Sequence, residues 1–508
     1  MGILDRIFGN HWGIHPDDRK RPAADLPLRR LPLPSHLYVP LQQHIGAPAR
    51  PIVLVGQKVL KGELIAEAQG ATSAAIHAPS SGTITAVGEI TAPHASGLPV
   101  PGITIECDGE DRWIEAADIP DDPAFDPFSL EPAEISRRIG AAGVVGMGGA
   151  TFPSALKLNI GKKTGITTLI INGGECEPYL SCDDRVMRDF AAEAVDGIRL
   201  MLHATGAKEA LVGIEDNKPE AIATMQQAAA GFPEIRICPV PARYPMGSEK
   251  HLFSALTGKE VPADGRTTDL GVLVHNVGTA AAVHTAIRHG RPLVERIVTL
   301  NGGAWRAPGN VVAPIGMLVS DIIAATEFKE QPARLIMGGP MMGTLLPSEF
   351  VPVVKGSSGL LALTAEEAAD GEAQPCIRCS SCVRACPVGL LPLEMSARIR
   401  NEDYAGAVDL GLKDCIACGC CAYVCPSRIP LVQYFGHAKG ELAARDRAKL
   451  RNDATKRLVA ARAERLEREA KEKAEAAARR KAERAKQKAA EAAAAAASAD
   501  TSGAETTA

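Results

Sequence analysis

Eight cysteines in the last third of the sequence have the type and spacing to do chemistry. Cys376, Cys379, Cys382 and Cys386 are followed by Pro387, and Cys415, Cys418, Cys421 and Cys425 by Pro426. Each run reads C-x2-C-x2-C-x3-C-P, and the second repeats the first at an offset of 39 residues. The irons of a [4Fe-4S] cluster need thiolates converging from short turns, and in paired runs of this spacing the fourth cysteine ligates the other run's cluster. That rule gives one cluster to Cys376, Cys379, Cys382 and Cys425, and the other to Cys415, Cys418, Cys421 and Cys386. The exchange brings the two clusters close together, so that electrons can hop between them. Zinc also binds C-x2-C pairs, but two complete four-cysteine runs with trailing prolines fit it less well. A disulfide framework would need a secreted chain. Cys420 has Ser381 as its counterpart in the first run, so the repeat leaves it outside the ligand set.

Upstream, from Glu131, the pattern is α/β: a helical stretch, a glycine-rich turn and an aliphatic run, TLIIN, suited to a buried parallel strand. The turn GAAGVVGMGGATFP contains Gly146, Gly148 and Gly149, which can bring backbone N–H groups against a phosphate ahead of a helix start. It lacks the third glycine of a dinucleotide fingerprint, with Thr151 in that place. Lys157 follows, where its charge can meet a phosphate. The aliphatic run ends at Asn172 and delivers Glu175 and Glu177 to a strand's carboxyl end, where α/β sheets bind ligands. YPMGSEKHLF places Gly247, Glu249 and Lys250 ahead of a helix, and GVLVHNVGT brings Asn276 and Thr279 to a further strand end.

These residues need positioning elements, and the sequence outlines a multidomain α/β and β chain. Residues 1–35 read as an irregular lead. Residues 36–128 hold short strands punctuated by Gly and Pro and resemble the two halves of a lipoyl or biotinyl barrel-sandwich domain. The loop 66–79 has no lysine to carry a prosthetic group, which makes this a structural module, with His77 packed or at the surface. The Asp/Pro stretch DIPDDPAFDPF closes it. Residues 129–294 form the Rossmann-like α/β domain, 295–350 a smaller domain of hairpin, strand and helix, and 365–440 the cysteine-bearing domain. The 28 residues between Cys386 and Cys415 read as helical. Residues 441–508 form an Ala/Lys/Glu-rich tail, expected to be a partly formed solvated helix with a disordered end.

Composition narrows the class. The 508 residues carry a formal charge of −4, yet residues 441–488 hold 17 Lys or Arg against 9 Asp or Glu, a local +8 that leaves −12 on the remainder. The tail has no aromatic residue, which argues against a nucleic-acid partner. MGILDRIFGN offers no signal-peptide core, and no apolar run reaches spanning length, so the chain reads as cytosolic, with any membrane association through partners. Cys107 and Cys238 lie in apolar runs as inert thiols, while acidic neighbours of Cys176 and Cys182 disfavour a nucleophilic role.

GMGGATFPSALK, INGGECEP, YPMGSEK and VHNVGT resemble motifs of the flavin-binding subunit of respiratory complex I. The same core, joined to an N-terminal barrel-sandwich domain and two ferredoxin-type clusters, is found in the C subunit of the Rnf (Rsx) electron transport complex, an ion-translocating ferredoxin:NAD oxidoreductase. LPLPSHLYVPLQQHIGAPARPIVLVGQKVLKGELIA, HAPSSGT, GGECEPYL, ALTGKEVP and GGPMMG resemble that family over about residues 12–440. The resemblance implies FMN held by Gly146, Gly148, Gly149, Lys157, Asn172, Asn276 and Thr279. It further implies NAD(H) oriented by Glu175 and Glu177, a contribution from the Glu249 loop, and a β-grasp (SLBB-type) domain over 295–350. It also implies a peripheral place on the cytoplasmic face of the bacterial inner membrane, other subunits of a membrane-embedded complex as partners, and a ferredoxin-like iron–sulfur subunit as electron partner. Departures from the complex I pattern are Met147 for arginine, Gly174 for aspartate, Thr151 for glycine and His275 for asparagine. Met147 and Gly174 motivate an alternative, an electron-carrying adaptor without NADH binding. A cobalamin reductase-like flavin/iron–sulfur protein is a second alternative on the same core.

Overall fold

The computed structural model describes residues 12–70, 72–115, 125–368 and 371–501. The N-terminal stretch read for a signal peptide, most of the Asp/Pro boundary and the Ser/Thr end of the tail lie outside the described residues. The chain divides into two compact units, Met1–Phe435 and Gly436–Ala508.

The lead ends in a short strand, β1 (Arg29–Arg30). The barrel sandwich follows with β2 (His36–Pro40), β3 (Arg50–Pro51), β4 (Lys58–Val59), β5 (Leu64–Glu67), β6 (Ile76–His77), β7 (Gly82–Thr91) and β8 (Pro99–Cys107). They form two sheets, ordered β2-β8-β7-β4 and β3-β5-β6. Apolar residues at every second position turn one face inward: Leu37 pairs with Ile105 and Val39 with Ile103, all fully buried.

The α/β domain runs α1 (Pro132–Ala141), α2 (Ser154–Thr164), β9 (Thr168–Gly173), α3 (Cys182–Asp189), α4 (Ala191–Thr205) and β10 (Glu209–Glu215). It continues with α5 (Pro219–Ala229), β11 (Ile235–Val240), α6 (Glu249–Thr257), β12 (Val272–Asn276) and α7 (Val277–His289). The sheet is parallel, in the order β11-β10-β9-β12. Leu169, Ile170 and Ile171 are successive and all buried, as a strand covered on both faces requires. Asn172 of β9 and Asn276 of β12 stand in register at the carboxyl ends of neighbouring strands.

Next come β13 (Glu295–Asn301), β14 (Gly309–Pro314), α8 (Val319–Thr326), β15 (Arg334–Met337), β16 (Thr344–Leu345) and β17 (Gly359–Leu363), in a sheet ordered β1-β14-β13-β17-β15-β16. The sheet thus takes strands from the lead and from beyond residue 350. Its Val298, Leu300, Trp305 and Val311 share one apolar core with Leu37, Ile65 and Ile103 of the barrel sandwich.

After α9 (Ala365–Ala368), the cysteine domain is built from α10 (Ser381–Ala385), α11 (Pro392–Arg400), α12 (Tyr404–Asp409) and α13 (Cys420–Tyr423). It is helical, as its sequence implies. The last element, α14 (Leu431–Thr501), begins ahead of the expected tail and continues through the poly-Ala stretch. Here the structure departs from a partly formed helix. Alanine and the long charged residues are strong helix formers, and pairs such as Glu464/Arg468, Glu467/Lys471 and Glu475/Arg479 stand at favourable i, i+4 spacing with glutamate first. No helix among the described residues is long and apolar enough to cross a membrane.

Candidate functional site

The first half of the site lies at the carboxyl edge of the parallel sheet. Where β9 ends, the Asn172 amide donates to the Gly247 carbonyl at 2.8 Å and accepts from the Gly174 N–H at 2.9 Å. Where β12 ends, Asn276 Oδ1 accepts from the Gly278 N–H at 2.8 Å and caps α7, while its Nδ2 donates to Asp183 at 2.7 Å. Thr279, fully buried, accepts from the Met147 N–H at 3.0 Å. These three polar residues therefore tie loops together, and Thr279 holds the glycine turn at Met147. Gly148, Gly149 and Ala150 are exposed on its outer side. Gly149 sits at φ +82°, and a Cβ there would meet no protein atom within 4 Å. Gly146 donates back to Phe152 and closes the turn. Lys157, on the first turns of α2, stands 3.7 Å from Glu249, which also accepts from the Thr267 hydroxyl at 2.7 Å. An exposed glycine backbone, an open side and a lysine at a helix start suit a phosphate-bearing ligand such as FMN.

The acidic turn after β9 is committed inward. Glu175 is buried, and its carboxylate accepts from the Asp183 and Asp184 N–H groups at 2.9 and 3.3 Å and from the Cys182 thiol, capping α3. Its main chain is held by Lys20, whose buried ammonium donates to the carbonyls of Glu175, Glu177 and Leu180 at 2.9, 2.9 and 2.6 Å. The Glu177 carboxylate accepts from the Met341 and Met342 N–H groups at 3.0 and 2.9 Å. Burial pushes its pKa up to about 7 against the pull of those two N–H groups. Burial, joined by the charge of Glu175, likewise holds Asp183 above the ordinary carboxylate range. The nicotinamide-facing role expected of Glu175 and Glu177 thus falls on carboxylates already engaged with backbone. Beneath the glycine turn, Arg296 of β13 lies against the Met147 sulfur and donates to the Ser357 carbonyl.

The second half is the doubled cysteine run, and the sequence repeat is visible in its backbone. Arg378 and Ala417 both adopt φ near +55°, and Ser380 and Gly419 are both left-handed. N–H groups turn onto sulfur at equivalent places, from Arg378 to Cys376 and from Ala417 to Cys415, each at 3.4 Å. Cys386 joins Cys415, Cys418 and Cys421 around a small pocket walled by Leu390, Met395, Ile416, Val432 and Phe435. Four thiols around an apolar cage suit a [4Fe-4S] cluster. Among the described residues, no three Cys, His, Asp or Glu side chains close on a single metal ion. The other set is more open: Cys376 and Cys379 are exposed, and the hydrogen bonds Gln374 N–H to Ser427 and Ser427 Oγ to Pro375 bring the start of the first run beside the residues after Cys425. Cys420 packs with Ile14, Tyr244 and Ala385, outside the cage.

The two halves touch. The buried Tyr244 hydroxyl donates to the Cys418 carbonyl at 2.6 Å, His251 meets the Pro387 carbonyl at 3.0 Å, and the Gly13 N–H donates to Ala385. The loop that carries Glu249 on the flavin side therefore also carries the contact to the second cysteine run.

Three known domains match this chain: the RnfC barrel sandwich hybrid domain over residues 8–110, the Nuo51 FMN-binding domain over 139–285 and the 4Fe-4S dicluster domain over 375–429. The C subunit of the ion-translocating oxidoreductase complex of Rhodobacter capsulatus is 53% identical over 445 residues, 87% of this chain and 85% of its own. The chain belongs to the family of these C subunits. The Pseudomonas aeruginosa relative of the same description is 47% identical over 89% of this chain and 58% of its own length. A solved chain of an NAD+-reducing [NiFe]-hydrogenase has 18% identity and a TM-score of 0.44, covering 63% of this chain and 62% of its own. The barrel-sandwich, FMN-binding and two-cluster domains expected from the sequence are all present as family domains.

Several residues that build the site carry no sequence signal: Lys20, Arg296 and Lys355. The last donates to Ala75 and Gly143 at 2.7 and 2.6 Å from a fully buried position. Burial and the nearby Lys355 push the packed His77 down to about 3. The thiols of Cys107 and Cys176 are raised, chiefly by burial, to about 11 and about 12.

Proposed function

We propose that this chain is the peripheral electron-transfer subunit of a membrane-bound ion-translocating oxidoreductase complex, passing electrons between NAD(H), FMN and two [4Fe-4S] clusters. The observation that supports the reading is the junction of Tyr244 with Cys418, which joins the second cysteine run to the loop leading into Glu249. FMN, when bound, supplies the exchange between hydride transfer and single-electron transfer. The chain's own work is placement. Gly146, Gly148, Gly149 and Lys157 receive the phosphate end, while Asn172, Asn276 and Thr279 hold the surrounding loops in shape. Lys157 and Glu249 mark the open edge where NAD(H) would enter. Cys415, Cys418, Cys421 and Cys386 ligate the cluster nearer the flavin, and Cys376, Cys379, Cys382 and Cys425 the outer one. The exposure of Cys376 and Cys379 makes the outer cluster the outlet to a ferredoxin-like iron–sulfur partner. Ion movement belongs to membrane-embedded partners, with this subunit on the cytoplasmic face of the inner membrane.

Anaerobic mixing of reconstituted protein with NADH tests the reading. Bleaching of flavin and cluster absorbance is expected. If both stay oxidised with NADH yet are reduced by dithionite, the adaptor reading, motivated by Met147 and Gly174, takes its place.

A further inference from the structure

We propose that Glu177 is a positioning residue for electron transfer: it clamps the backbone loop at 339–342 onto the flavin-side turn and so fixes where the second cysteine run stands. The inference rests on the reading of that run as cluster ligands.

Both carboxylate oxygens are used, Oε2 on the Met341 N–H at 3.0 Å and Oε1 on the Met342 N–H at 2.9 Å. Two successive N–H groups converging on one carboxylate make a two-point grip, of which a carboxamide could reproduce one point. The loop is shaped for it: a Cβ on Gly339 would overlap the Glu177 carboxylate, so GGPMMG admits the clamp because position 339 has no side chain. The far side of the loop faces the cysteines. The Met341 carbonyl lies against Gly419, where a Cβ would be 3.1 Å from it, and Met341 packs against the apolar cluster of Ile14, Tyr244, Ala385, Cys418 and Cys420. The near side cannot give way, since Lys20 holds the Glu177 carbonyl at 2.9 Å and that of Glu175 at the same distance. Contacts thus run from the end of β9 to Gly419, and among the described residues the Glu177 carboxylate is the side chain that takes the loop's Met341 and Met342 N–H groups. Those two N–H groups offset the cost of a carboxylate drawn partly out of water.

The full chain, reconstituted anaerobically, tests this with E177Q, E177A, E177G, G339A and the double variant E177G/G339A. The readouts are electron paramagnetic resonance of the reduced clusters and their midpoint potentials; the second-run cluster is identified by the signal lost in C421A. E177A is expected to shift the g values and potential of that cluster alone, E177Q by less, with iron and flavin contents unchanged. G339A, which displaces the carboxylate by crowding, should give the same shift. In E177G even the Cβ, which a Cβ on residue 339 would approach to 2.7 Å, is gone, so nothing is left to crowd and the double variant should match E177G. The proposal is overturned if that cluster is unmoved in E177A and G339A, if the effects of E177G and G339A add, or if both clusters shift alike. Should E177A not fold, E177Q and G339A decide it on the same signals. A wild-type chain without two cluster signals would instead bring down the ligand reading, and this inference with it.

Discussion

Lys355 holds an ammonium in a fully buried place with two carbonyls, those of Ala75 and Gly143, for partners. Burial pushes it from its ordinary 10.5 down to about 7. Between those values the unfolded chain binds a proton that the native chain does not, so native stability should rise as pH climbs from 7 toward 10.5 and be lowest below 7. K355M should flatten this rise, measured as denaturation midpoints at pH 7 and pH 9.5. An equal rise in variant and wild type would remove Lys355 as its source. Such residues were illegible in the sequence because their partners are remote: the acceptors of Lys355 lie 280 and 212 positions away, those of Lys20 155 to 160, and the donors to Glu177 164 and 165. Asn172 and Asn276 were legible as positions, since strand ends follow from local aliphatic runs. Their partners Gly247 and Asp183 were not, so loop-tying residues read as direct ligand contacts.

Among elements, the cysteine runs were the most legible because cluster ligation is set by short spacings and by a repeat that can be checked against itself. The cage of Cys386 with the second run follows the exchange rule, and its symmetric consequence is testable. C425A should abolish the signal of the cluster carried by Cys376, Cys379 and Cys382; loss of the second-run signal alone would refute the exchange. The glycine turn was legible only as a whole. Its glycines serve different ends, since Gly149 faces open space, whereas a Cβ on Gly143, at φ +63°, would overlap the Ala75 carbonyl and crowd the Lys355 ammonium at 2.7 Å. Gly143 serves the docking of the barrel sandwich, at the loop where carrier domains hold their prosthetic group. G143A is therefore expected to weaken FMN binding indirectly, with a cost to stability of about 2 kcal/mol or more from strain and crowding. Flavin fluorescence titration and thermal unfolding together check it; a weakened flavin site with an unchanged unfolding midpoint would mean that Gly143 touches the ligand itself.

At the scale of the molecule, the amino-terminal lead is a strap joining the parts that the sequence separates. Gly13 bonds to Ala385 of the cysteine domain, Ile14 pairs with Tyr244, Asn301 donates to the Arg19 carbonyl, and β1 extends the sheet at β14. With the core shared between barrel sandwich and β-grasp sheet, residues 12–435 hold together through contacts that no local pattern announces. The tail is different in kind. Its residues are exposed nearly throughout, and its helix rests on intrinsic propensity and i, i+4 pairs such as Arg465 with Glu469. Stability of this sort is local, so the unit should melt without carrying the rest with it. A chain ended after Arg445 keeps Val432 and Phe435, which wall the cysteine cage, and is expected to retain iron, sulfide and flavin with an unchanged main unfolding transition. Only a broad, early loss of helical circular dichroism should disappear. F435A provides the contrast: it opens the cage wall and should make the second-run cluster bleach faster in air, while the truncated chain bleaches as the full one does. Loss of clusters on truncation would show that the tail contributes to the fold of the electron-carrying body.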